Sequence, residues 1–167
     1  MNFNVDAEGA ETVSESLKKL EKTFNHEMIK TMAKVTKELA EYAQNNHRFI
    51  SRSGALEKSV VHGVISKSPL VGEVALSQDS PAFPYNYFQH EGTGRYGPRR
   101  RKYLIKPRRK ELLRWSSKGK FYSAKQVIHP GVKPDPFLYL AAQKKEKEIK
   151  SALKGSINKV LKEAELL

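Results

Sequence analysis

Cysteine is absent from the 167 residues. That excludes disulfides, thiolate zinc sites, iron–sulfur clusters and cysteine nucleophiles together, and it fits synthesis in a reducing cytosol. No apolar run approaches the roughly 18 residues that a membrane span needs, so no membrane partner is expected. The first eight residues, Met1 to Glu8, hold neither a basic stretch nor an apolar one, and no secretory signal is expected. Acidic residues are scarce in one place. Residues 95–125 carry thirteen Lys/Arg against one acidic residue, whereas 1–48 and 49–94 are each net −1. Of the overall +13, net +12 therefore sits in this short stretch. A field so concentrated attracts polyanions or an acidic surface, and the attraction weakens with salt.

What is present reads as α+β, a single domain over 1–167 with a long N-terminal helix, a small antiparallel β-sheet with a long basic loop, and a C-terminal helix. From Phe24, apolar residues Met28, Met32, Val35, Leu39 and Tyr42 recur at steps of three and four, with Lys and Glu filling the other face. That is an amphipathic helix, with Asn25 as its expected cap. A shorter helix over about Glu11 to Lys22 is expected before it. The period then changes. Leu56 to Ser66 and Gly72 to Ser77 read as a hairpin around Ser68-Pro69. Pro81 to Tyr87 reads as a turn or short helix, and Gln89 to Pro98 as a loop. Inside the basic block, Tyr103-Leu104-Ile105, Leu112 to Trp115, Phe121 to Ser123 and Gln126 to Ile128 are candidate short strands. Asp135 is the expected N-cap of the last helix, with Pro136 at its first position. Phe137, Leu140, Ala141, Ile149, Leu153, Ile157, Val160 and Leu161 form the stripe of that helix. One of the two long stripes is also available to a neighbouring subunit.

Catalytic and cofactor signals are weak. Gly92 to Gly97 matches G-x-G-x-x-G, but the dinucleotide fingerprint needs a strand before it and a helix starting inside it. Here Pro98 and four consecutive basic residues follow, which favours a plain loop. The five histidines include no i, i+4 pair, so no metal site is expected. No Gly-x-Ser-x-Gly elbow is present, and the carboxylates do not pair. No enzyme and no cofactor are expected. The basic block leaves three readings open. Arg95, Arg99, Arg100, Arg101, Lys102, Lys106, Arg108, Arg109, Lys110, Arg114, Lys118 and Lys120 contact phosphates, with Tyr103, Trp115, Phe121 and Tyr122 interleaved. Alternatively they dock on an acidic protein surface, or form a solvated loop. No sequence-reading nucleic-acid motif is present.

Three segments, in order, carry a resemblance. Ser53 to Val60 is similar to T-G-x-L-x-x-S-I/V, and contributes Gly54 and Leu56. Tyr85 to Gly94 is similar to Y-A-x-Y-V-E-F-G-T-G/S, and contributes Glu91, Gly92, Thr93 and Gly94. His129-Pro130-Gly131 followed by Pro136-Phe137-Leu138 is similar to H-P-G and P-F-L-x-x-A. Together, over about residues 25–165, the chain resembles the head–tail joining or minor tail-component (tail completion) family of long-tailed bacteriophages, lambdoid gene-10 type. The resemblance implies a structural virion protein of the neck or upper tail. It implies partners of three kinds: copies of itself in a ring, often of six, other neck and tail-tube proteins, and genomic DNA in the channel. Location would be the virion, and the host cytoplasm during assembly. The alternative from the charge alone is a cytosolic protein binding nucleic acid without regard to sequence.

Overall fold

Residues 10–45 contain no Pro and no Gly, and nothing stops a helix once it begins. The computed structural model, which describes residues 9–164, accordingly shows one helix, α1, over Ala10–Asn45. The expected break before Asn25 does not occur. Val13, Leu17 and Leu20 lead into Phe24 and Met28 at steps of four and three, so the two stripes are one. Asn25 lies exposed in mid-helix and caps nothing. The reading of residues 1–8 lies outside the described residues.

A 3-10 turn over Glu57–Ser59 leads into β1 (Val60–Lys67), which pairs with β2 (Leu70–Leu76) as a hairpin. Next comes α2 (Tyr85–Glu91), which takes the first residues of the expected Gln89–Pro98 loop into a helix, and a 3-10 turn follows over Gly94–Tyr96. β3 (Tyr103–Ile105) pairs antiparallel with β6 (Val127–His129), and β4 (Leu113–Ser117) pairs antiparallel with β5 (Lys120–Ala124). The architecture is α+β, closed by α3 (Phe137–Glu163). Among the described residues the antiparallel structure is three separate two-stranded ladders. The four candidate strands of the basic block are all present, within one or two residues of their expected limits.

The contacts divide into two compact units. Of the described residues, one comprises 9–42, 62–75 and 141–164. In it α1 and α3 run antiparallel. Thr31 Oγ1 meets Ser156 Oγ at 2.6 Å, Lys159 Nζ donates to Glu27 at 3.0 Å, and Lys145 Nζ lies 5.0 Å from the Tyr42 ring centroid. Val35, Ala40, Ala141 and Val160 are buried there. β2 approaches α1 so closely that a Cβ on Gly72 would lie 2.6 Å from Met32 Sδ.

The other unit comprises 43–61 and 76–140. Its centre is Phe137, fully buried, with the rings of His90 at 5.3 Å, Phe49 at 5.5 Å and His47 at 6.4 Å. Asp135 corrects the sequence reading. Its carboxylate Oδ2 accepts from the backbone N–H of Arg48 and, at 3.0 Å, of Phe49. It therefore holds a segment 87 residues away, and α3 begins at Phe137 behind Pro136. The side chain thus serves this distant segment rather than the first turn of α3.

Candidate functional site

The three motifs have structural jobs that the second unit makes visible. In the first, Lys58 N–H donates to the Gly54 carbonyl at 3.0 Å, Leu56 is buried, and the buried Ser59 hydroxyl donates to the Leu56 carbonyl at 2.6 Å. The Ser59 carbonyl then accepts from Ser77 N–H at 2.8 Å. This fixes where β1 starts.

The second and third motifs interlock through their backbones. Thr93 exchanges two hydrogen bonds with Val132: its N–H donates to the carbonyl at 3.0 Å, and its hydroxyl accepts from the N–H at 2.9 Å. Arg95 N–H donates to the Pro130 carbonyl at 2.7 Å, and Asp135 N–H to the Gln89 carbonyl at 2.9 Å. Contact this close demands glycine. A Cβ on Gly94 (φ +61°) would lie 2.6 Å from the Pro130 oxygen. One on Gly131 (φ +106°) would collide with the Thr93 oxygen. His129, paired with Tyr103 across the β3–β6 ladder, accepts the Gly131 N–H on Nδ1 at 3.0 Å. The Gly92–Gly97 run follows a helix and holds a single 3-10 turn, unlike a dinucleotide site.

Beside this junction lies a polar set, of which His90 is buried. His90 Nδ1 meets Glu91 Oε1 at 2.8 Å, and the Tyr139 hydroxyl donates to the same oxygen at 3.3 Å. The Glu91 charge, then its hydrogen bond, raises the Tyr139 hydroxyl above its ordinary value. His47 Nε2 lies 3.3 Å from Glu57. Burial alone would raise the Glu57 carboxyl. Hydrogen bonds from Ser51 and the backbone, with His47 nearby, outweigh that and leave it lowered. Glu57 Oε2, His90 Nε2 and Asp135 Oδ1 have no hydrogen-bond partner among the described residues. Asp135 Oδ1 does have the Arg48 guanidinium at 3.5 Å, a charge contact without hydrogen-bond geometry. Among the described residues no group of three His, Asp or Glu side chains is arranged to hold a metal ion.

All twelve singled-out cations are exposed, and among the described residues none forms an ion pair. They divide into three groups. Arg95 and Arg99 to Lys102 are rooted on the motif junction: Arg101 N–H donates to the Gly94 carbonyl at 3.1 Å, and Arg100 N–H to the Gly97 carbonyl at 3.0 Å. Arg114, Lys118 and Lys120 stand on the β4–β5 ribbon, which is joined by a tight turn with Lys118 and Gly119 both at positive φ. Lys106 and Arg108 to Lys110 lie in the approach to β4. Across the ribbon, Trp115 stacks on Tyr122 with centroids 5.7 Å apart and planes 16° from parallel. Phe121 is 89% exposed.

Sequence reasoning missed the polar set around Phe137. Asn86 is fully buried, with Nδ2 donating to the Ser77 carbonyl at 3.0 Å, and Gln89 and His90 are buried too. The only signal was polar residues at helical spacing in a Tyr/Phe-rich segment. Comparison with family models, with curated proteins and with solved structures returns no match to this chain.

Proposed function

We propose that the chain is a structural virion protein of the neck or upper tail of a long-tailed bacteriophage. It completes the tail or joins it to the DNA-filled head, as a ring of identical subunits. The observation that carries this reading is the ordered motif set, whose second and third members lock onto each other through Thr93, Gly94, Pro130, Gly131 and Val132. Gly94 and Gly131 of the resemblance thus have defined structural roles here. Ring assembly is supported by apolar side chains that a single copy leaves in water. Ile50 is 88% exposed, Ile128 68% and Tyr139 60%. An open groove lined by Phe49, Arg52, Leu56, Pro81, Phe83 and Tyr85 lies in the same unit. Exposed apolar surface of this kind marks contact sites. A ring uses head-to-tail contacts that close by rotation. No catalytic step and no cofactor enter this role.

The test is deletion of the gene from the phage or prophage that carries it, with the lysate imaged by electron microscopy. The expected result is filled heads beside separate tails, or tails of abnormal length. Normal infectious particles would overturn the reading. Incorporation of the chain into wild-type particles, read by mass spectrometry of purified virions, is the accompanying expectation.

A further inference from the structure

We infer that the β4–β5 ribbon and the basic segment leading into it form an arm that binds double-stranded DNA through its phosphates, without reading sequence. The inference goes beyond the neck reading and does not rest on it. β4 and β5 pair with each other and with no third strand among the described residues. An isolated two-stranded hairpin is at best marginally stable in water, and the stacked Trp115–Tyr122 pair is what the arm has to hold it. Residues 106–125 add eight Lys/Arg and a single acid, Glu111. With no ion pair among the described residues, these charges repel one another. A polyanion removes that cost.

The chain's own copies offer little counter-charge, because residues 1–94 are together only net −2 and the whole chain is +13. Duplex DNA supplies it, with one phosphate charge per roughly 1.7 Å of axis. Its major groove admits a two-stranded ribbon. The register puts Arg114 and Phe121 on one face of the ribbon and Trp115, Lys120 and Tyr122 on the other. Cations thus project from both faces and from the Lys118 turn. Asn and Gln, which read adenine, are absent from 113–124. Trp115 and Tyr122 already cover each other's inner ring face, which leaves less stacking surface for the bases of a single strand.

The experiment uses the full chain and a fluorescent duplex of about two helical turns (~20 bp) of arbitrary sequence, read by anisotropy. Binding is expected at 50 mM salt, falling by about 10³-fold or more at 200 mM, the range for six or more phosphate contacts. The variant R114S/K118S/K120S removes three exposed charges. It should weaken binding at least about tenfold and reduce the salt slope by about three. The variant K144S/K147S/K154S removes the same charge from exposed positions on α3 and should change affinity little. Circular dichroism checks that both variants keep the helical signal. Absence of binding at 50 mM salt would overturn the inference. So would equal damage by the α3 variant, tighter binding to single strand than to duplex, or equally tight binding to polyglutamate.

Discussion

Replacing Gly131 by Ala drives a methyl group onto the Thr93 carbonyl oxygen at a φ of +106°. Backbone on both sides leaves the neighbour nowhere to move. The expected cost is about 3 kcal/mol or more, read from urea unfolding. The same substitution at Gly155, inside α3 with nothing within 4 Å of the new Cβ, should stabilise by about 0.5–1 kcal/mol. Phe137→Ala empties a fully buried site among three rings and should cost about 3–5 kcal/mol in the same assay. Phe137 was legible in the sequence, because an aromatic behind Pro at a helix start has an inward position to fill. Asp135 was not. Its residue type suits an N-cap, and nothing local says that the amides of Arg48 and Phe49 compete for it.

The long helices illustrate how an element is read too locally. Apolar spacing correctly located both stripes of α1. Asn25, a good capping residue, suggested a boundary that a stretch without Pro or Gly has no reason to make. The short strands of the basic block were legible from their β-branched and aromatic residues, despite the charge around them. Their pairing was not, since β3 finds β6 across the intervening ribbon. For that ribbon, Trp115→Ala removes a cross-strand aromatic pair worth about 0.5–1.5 kcal/mol. Hydrogen exchange should then lose protection over Leu113–Ala124 while α1 and α3 keep theirs.

For the molecule as a whole, charge sets the pH window. The carboxyls of Glu57, Glu27 and Glu146 are lowered: Glu57 by the balance described above, Glu27 and Glu146 chiefly by hydrogen bonds from Lys159 and Lys150. A lowered carboxyl adds stability that is complete above its unfolded value of about 4.3. That stability is lost as pH falls through the folded value. Lys145 and Lys159 are raised, mainly by hydrogen bonds to Glu148 and Glu27, and Tyr139 is raised by Glu91. Their contribution fades as pH climbs past roughly 10. Thermal melts should therefore show a plateau near neutrality and a fall at both extremes. Glu57→Gln should flatten the acid limb.

The Asp135 tether also dictates an order of events during synthesis. Each of the two compact units contains segments that leave the ribosome late: 76–140 for one, 141–164 for the other. Until Asp135 has emerged, the amides of Arg48 and Phe49 lack their acceptor, and until Phe137 follows, the rings of His47, Phe49 and His90 surround an empty place. A nascent chain can wind α1 early, because its bonds are local. The packing around Phe137 and the pairing of α3 with α1 wait for the last quarter of the message to be translated.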